Sequence, residues 1–257
     1  MKKLHFHYKM DLKFDSSVRE HHMVLKCRPM EGPGQKLLSF SCRTDPNAPL
    51  CEVLDGFGNH AISCVIREPH DHVSVWTEGS VERERFGDTC FHPVYAYPSA
   101  YTEAGEDMKQ FAAEALKGAG TAACLERACV LMERMQDRIS YVPGVTGTAT
   151  TAQGAFLGGR GVCQDYAHIL TALCRCSGIP ARYAAGMMVG EGASHAWVEV
   201  WTGSVWTGLD PTHNRLVDDR YIKLSHGRDF ADAAIDRGCF LGAAGQQQTI
   251  YIKVDEK

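Results

Sequence analysis

The strongest chemical signal in the sequence is the stretch Gly161-Val162-Cys163-Gln164-Asp165-Tyr166-Ala167-His168. A glycine-flanked approach delivers one cysteine to the predicted first turn of a helix. After Cys163, residues Tyr166, Ile169, Leu170, Leu173 and Cys174 recur at helical spacing, and Gly178 and Pro180 supply the stop. A thiol at a helix N-terminus sits at the positive end of the backbone dipoles. That setting favours the thiolate, the form of sulfur that attacks carbonyl carbon. Most cysteines are small buried hydrophobes, so this one gains a catalytic meaning only if the fold brings it a histidine and a carboxylate.

Both are present downstream. Along 194–201, His195, Trp197, Glu199 and Trp201 fall on one face of a strand, and Ala196, Val198 and Val200 on the other. Thr202-Gly203 reads as a two-residue turn, after which 205–209 returns as an antiparallel strand ending at Asp210-Pro211. If Trp201 pairs with Ser204, then Val200 faces Val205, Val198 faces Thr207, and His195 falls opposite Asp210. Opposed residues point to the same face with Cβ atoms about 4.5–5.5 Å apart, close enough for an imidazole–carboxylate hydrogen bond. A four-residue loop over 201–204 keeps this register, whereas a three-residue loop puts Asp210 opposite Ala196. Cys163, His195 and Asp210 form the predicted catalytic set.

The rest of the chain must position them. Residues 4–14 alternate, with Leu4, Phe6, Tyr8, Met10, Leu12 and Phe14 on one side, as a half-buried strand does. Short strands follow at 23–27, 36–42, 61–66 and 73–77, separated by turn clusters such as Asp55-Gly56-Phe57-Gly58-Asn59. This predicts an N-terminal β-sandwich over 1–88. Its histidines (His21, His22, His60, His70, His72) read as solvated surface. Beyond a Pro- and Tyr-bearing link at 91–98, the pattern turns helical. Asp107 is placed to cap a helix carrying Met108, Phe111, Ala112 and Ala115. Thr121 is placed to cap one with a stripe of Leu125, Cys129, Met132, Met135 and Ile139. Thr151 starts a short helix, and the Gly- and Thr-rich run 144–161 permits close backbone approach by a substrate. Arg182 to Val189 reads as a strand. The second domain is 89–257, and its terminal strand, within 241–257, is free to pair with the sandwich or to cover the catalytic sheet. The fold class is α+β.

Composition narrows the function. At 257 residues, 44% apolar and 23% charged, the chain is an ordinary globular protein with a real core. A formal charge of −4 without a long basic run argues against nucleic acid as a partner. No apolar run approaches the ~20 residues of a membrane helix, and the N-terminus lacks the apolar core of an export signal. Eleven irregularly spaced cysteines then read as reduced thiols of a cytoplasmic protein. There is no C-x-x-C pair, and neither His5/His7 nor His70-Asp71-His72 brings a third and fourth ligand, so no metal and no cofactor are expected.

Gly161 to His168, Gly178-Ile179-Pro180-Ala181-Arg182-Tyr183, Ser194-His195-Ala196-Trp197-Val198-Glu199-Val200 and Asp210-Pro211-Thr212 together resemble the transglutaminase-like superfamily. More narrowly, they resemble its bacterial cysteine-protease branch with a β-rich N-terminal domain, as do Asp219-Arg220-Tyr221-Ile222 and Gly227-Arg228-Asp229-Phe230. The likeness is strong across 148–240 and weaker before 90. It implies a papain-like core of helices on an antiparallel sheet and a Cys–His–Asp triad at Cys163, His195 and Asp210. Cys163 is then the nucleophile, His195 its ion-pair partner and proton donor, and Asp210 the group that orients the imidazole. The Cys163 backbone N–H is the first oxyanion donor; Gln164 and Gln153 are candidates for the second, and Trp197 for a cleft wall.

The expected activity is a thiol-dependent amide-bond hydrolase acting on a peptide or protein through a thioacyl-enzyme. Transfer of the acyl group to an amine uses the same first half-reaction, and the motifs do not separate water from amine as acceptor. A third expectation is a non-catalytic binding module. The oligomeric state is open.

Overall fold

The computed structural model describes residues 1–84, 87–119, 122–190 and 192–256. Its N-terminal half is one curled antiparallel sheet built on a single long strand, β1 (Lys2–Leu25). Strands β2 (Gln35–Asp45), β3 (Leu50–Leu54), β4 (His60–Ile66) and β5 (His70–Arg83) complete the run β2-β5-β1-β4-β3. The sequence predicts separate strands at 4–14 and 23–27; the first and residues 23–25 of the second belong to β1, which ends at Leu25. Its first part pairs with β5 and its last five residues with β4. Pairing is irregular between Lys13 and Val18 and again between Arg19 and His22, where Glu20 takes a φ of 46°. Through this kink the inward positions change from even (Leu4 to Val18) to odd (His21, Met23, Leu25). One strand thus serves both layers, which is why the sandwich pattern is legible although the sheet is continuous.

The same kink overturns one expectation. His21 and His70 are not solvated but buried, stacked 5.5 Å apart with ring nitrogens at 3.2 Å. Burial, then the neighbouring His70, pushes the His21 pKa down to about 4, so the His21 ring packs neutral.

The middle of the chain is helical: α1 (Glu106–Ala115), α2 (Cys124–Gln136), β6 (Ser140–Tyr141), α3 (Ala152–Gly158), β7 (Arg160–Gly161) and α4 (Cys163–Cys176). Asp107 sits in the first turn of α1, whose N-cap is Gly105. Thr121 lies outside the described residues, and the N-cap of α2 is Ala123. Thr151 does cap α3, accepting the Gly154 N–H at 3.1 Å. Gly178, at φ 74°, takes the left-handed conformation that follows the end of α4.

β8 (Ala181–Met188), β9 (His195–Trp201), β10 (Trp206–Asp210), β11 (Arg215–Leu216) and β12 (Tyr221–Gly227) form a five-stranded antiparallel sheet in the order β11-β10-β9-β8-β12. Ala196, Val198 and Val200 join α4 in a cluster that extends to Leu4, Phe6 and Met10 of β1. Trp197 and Tyr221 pack on the opposite face with Ala184 and Met188. After α5 (Phe230–Ala233), strands β13 (Asp236–Leu241) and β14 (Gln246–Glu256) both return to β1. The terminal strand therefore pairs with the N-terminal sheet and does not cover the five-stranded one.

Candidate active site

Cys163 is the first residue of α4 and is half-buried. Two residues further on, Asp165 closes the helix start: its Oδ2 accepts the Val162 N–H at 2.8 Å and the Thr146 hydroxyl at 2.6 Å. This is the acidic half of a capping box, and it ties the 144–150 loop to the helix. A Cβ on Gly161 would lie 2.5 Å from the Asp165 Cβ, so the glycine two residues before Cys163 is needed to seat the cap. As first-turn amides, the Cys163 and Gln164 N–H groups lack intrahelical acceptors. Tyr166 and His168 hold α4 in place. The Tyr166 hydroxyl donates to the Ile139 carbonyl at 2.6 Å, and His168 Nε2 accepts the Phe230 N–H at 3.0 Å. Burial pushes the His168 pKa down to about 4, leaving it neutral and able to accept.

His195 opens β9, the strand against which α4 packs. Its Nε2 lies 2.8 Å from Asp210 Oδ2, and Cys163 is close enough to help raise the pKa of its ring. With Nε2 on the carboxylate, Nδ1 is the nitrogen left for sulfur. The ladder that produces this geometry differs from the predicted one. Trp201 pairs with Trp206, Val200 with Thr207 and Val198 with Leu209. The connection is a four-residue loop, 202–205, closed by Thr202, whose N–H and hydroxyl both donate to the Val205 carbonyl at 3.1 and 2.9 Å. A shift of two residues preserves the face, so His195 and Asp210 meet diagonally instead of directly.

Asp210 is fully buried and accepts five hydrogen bonds. Oδ1 takes the backbone N–H groups of Thr212 (3.0 Å) and His213 (3.2 Å). Oδ2 takes His195 Nε2 (2.8 Å), His213 Nδ1 (2.8 Å) and the Tyr221 hydroxyl (2.6 Å). Burial opposes its charge, but the bond from His195, followed by those from Tyr221 and His213, holds the carboxyl well below the usual range. Burial also opposes a charge on His195, yet the bonds to Asp210 and Cys163 outweigh it and raise its pKa to about 9. At neutral pH the site holds an imidazolium between a carboxylate and the Cys163 sulfur, an arrangement suited to nucleophilic attack by sulfur and proton delivery by nitrogen. The sequence reading misses His213 and Tyr221 as partners of Asp210. His213 is signalled only by its place three residues after Asp210 in a turn, and Tyr221 arrives from the far edge strand. His195, Asp210 and His213 also bring ligand atoms within 4.8 Å of one another. An ion there would have to displace the protons that hold the three together.

The supporting candidates fare differently. Gln153 binds the start of α1, where its Oε1 accepts the Gly105 N–H at 2.9 Å and its Nε2, the only donor it has, points to Asp107 Oδ2 at 3.5 Å. Gln164 reaches the Gly147 carbonyl at 3.4 Å, a long contact that leaves it beside the loop over the helix start. Trp197 is buried against Tyr221, edge to face at 5.6 Å, on the side of the sheet away from α4; it supports the ring that holds Asp210 and does not wall a cleft at Cys163.

Residues 109–211 match the transglutaminase-like superfamily, and residues 4–82 match the bacterial transglutaminase-like N-terminal region. An uncharacterized protein of Mycobacterium leprae (strain TN) is 26% identical over 252 residues, covering 88% of each chain. An uncharacterized protein of Mycobacterium tuberculosis (strain H37Rv) is 36% identical over 141 residues, which are 49% of this chain and 45% of that one. A solved structure described as "a putative cysteine protease from Cytophaga hutchinsonii" superposes with a TM-score of 0.80, covering 99% of this chain and 90% of that chain. Its sequence identity is 21%, so the likeness is one of fold.

Proposed function

We propose that this chain, which belongs to the transglutaminase-like superfamily, cleaves amide bonds of a peptide or protein through a thioacyl-enzyme on Cys163. The observation that carries this reading is the position of His195, bound to buried Asp210 through Nε2 and raised in pKa by Asp210 and by the helix-start cysteine. The thiolate attacks the amide carbonyl carbon, forming a C–S bond and a tetrahedral oxyanion. The Cys163 N–H is placed to stabilise that charge, as the first-turn amide nearest the sulfur. His195 gives its Nδ1 proton to the departing nitrogen as the C–N bond breaks. Water then adds to the thioester, its proton returns to His195, and sulfur leaves as the acid is released. Asp210 stays ionised throughout and keeps the imidazole oriented.

Limiting iodoacetamide at about pH 6, followed by mapping of the label, tests the nucleophile. Cys163 is expected to react well ahead of the other cysteines, all of which are free thiols. Equal labelling of Cys163 and an exposed thiol such as Cys51 or Cys239 would remove the basis of the proposal. Incubation of a glutamine-containing peptide with a labelled amine, read by mass spectrometry against C163A, then separates the acceptors. Cleaved or deamidated peptide is expected; amine conjugate as the main product would assign acyl transfer instead.

A further inference from the structure

Behind the catalytic sheet, on the side turned from α4, lies a cavity of about 460 Å³ between β8, β9 and β12 and the Met30–Gln35 segment of the N-terminal half. Cys163, His195 and Asp210 do not line it. Four of its lining residues carry a buried side-chain nitrogen without a partner among the described residues: Arg83 Nε, Arg182 Nη2, Trp197 Nε1 and His226 Nδ1. Arg182, Trp197 and His226 are 2%, 1% and 6% exposed.

All four of these nitrogens are donors. The first three have no other option. His226 Nε2 lies 3.4 Å from Arg182 Nη1, which can only donate, so Nε2 accepts and Nδ1 carries the hydrogen. Burial, then the charges of Lys223 and Arg182, keep this ring neutral. The carboxylates around the cavity are already engaged. Glu199 Oε2 accepts Arg182 Nε and Lys223 Nζ, both at 2.6 Å, and Asp88 takes Arg182 Nη1 at 3.0 Å. Glu31 is held by Arg28 at 2.9 Å. Among the described residues Arg83 has no carboxylate partner; it spends Nη1 on the Gly34 carbonyl. The unmet requirement is therefore one-sided. Donors and one guanidinium without a carboxylate in hydrogen-bond reach await acceptor atoms, while Phe57, Tyr95 and Val217 supply apolar wall.

We propose that this cavity binds a small molecule presenting a carboxylate or a phosphate on a short apolar body. An oxyanion supplies several acceptors at once and the direct charge partner that Arg83 lacks among the described residues. The volume falls in the range of about 300–1,000 Å³ typical of small-ligand sites. This site is independent of the amide-cleaving reading and stands or falls without it.

The test follows the indole N–H signals of ¹⁵N-labelled protein during titration with 3-phenylpropionate or phenyl phosphate, with 3-phenylpropionamide as the uncharged control. The Trp197 signal is identified by its loss in Trp197→Phe. It is expected to move saturably with at least one anion and not with the amide, and the anion that saturates first tells carboxylate from phosphate. In Arg83→Gln, which spares the Arg182–Glu199–Lys223 cluster, affinity is expected to fall at least about tenfold. Gly56→Trp is a second variant. Gly56 lines the cavity and a Cβ there meets open space, so the indole is expected to fill the site and abolish the response. A Trp197 signal that stays still up to about 10 mM of both anions, moves equally with the amide, or responds undiminished in both variants overturns the proposal.

Discussion

His195 reaches Asp210 from two positions along the ladder. Continued past the Val198–Leu209 pair, the register sets Asp210 across from Trp197, yet His195 Nε2 and Asp210 Oδ2 are 2.8 Å apart. Diagonal neighbours stand about 7–8 Å apart at their Cα atoms, farther than directly opposed ones. The distal ring nitrogen makes that reach, and the proximal one is left for Cys163. The offset thus decides which nitrogen does which task.

On the proposed mechanism Asp210→Asn is expected to lower kcat/KM by about 10⁴-fold, the loss that follows when a catalytic carboxylate becomes an amide. The fall should be accompanied by a drop in the His195 pKa from about 9, since Asp210 contributes both a bond and a charge to holding the proton. An NMR titration of the imidazole beside steady-state kinetics checks this. An unchanged His195 titration would assign the proton to some other partner.

The pH dependence follows from the raised pKa of His195. Protonation favours the folded state, so the stabilisation is complete below the unfolded value of 6.5 and disappears as pH rises to about 9. At about 1.36 kcal/mol per pH unit the span is worth about 3 kcal/mol. Urea unfolding of the wild type and His195→Gln should show their stability difference narrowing over that window. kcat/KM should fall above about pH 9, where the leaving nitrogen loses its proton donor. A stability difference that widens with pH would contradict the assignment.

Tyr221→Phe keeps the ring against Trp197 and removes the 2.6 Å bond to Asp210. The expected cost is about 1.5–3 kcal/mol of stability, the worth of a hydrogen bond to a charged group. Activity should fall about tenfold as the carboxylate gains freedom. Activity equal to wild type would show that the other donors hold Asp210 unaided.

Gly161→Ala places a methyl 2.5 Å from the Asp165 Cβ, which sits on the helix backbone and has little room to yield. A loss of about 1–3 kcal/mol is expected from this overpacking. Alkylation of Cys163 should slow as the helix start shifts. Wild-type urea midpoint and alkylation rate together would mean that the cap does not depend on the glycine.

Glu199→Gln leaves Arg182 and Lys223 buried without their shared carboxylate. Breaking a buried ion cluster on one side costs about 3–5 kcal/mol. Pairing the change with Lys223→Met should recover part of the loss, measurable as a positive coupling in a double-mutant cycle. Simple additivity would show that the two residues do not share the site energetically.

Local pattern made much of this protein legible. The start of α4 at Cys163 and the limits of β9 at His195 and Trp201 follow from periodicity and glycine placement, which depend on neighbours in the chain. The face shared by His195 and Asp210 was also readable, because a two-residue slip does not change parity. The length of β1 was not, since a kink at Glu20 interrupts the alternation that would have revealed it. Nor was the role of Gln153, whose amide is claimed by the start of α1.

By itself the sequence determined the residue types of the site, the elements that carry them and the sheet face on which the histidine and its carboxylate meet. Each of these is a short-range property of the chain. Only the tertiary structure decided the register of the β9–β10 hairpin, the convergence of His213 and Tyr221 on Asp210, and the return of β14 to β1. Those outcomes depend on loop closure and on burying polar groups against partners distant in sequence, a competition that periodicity does not record.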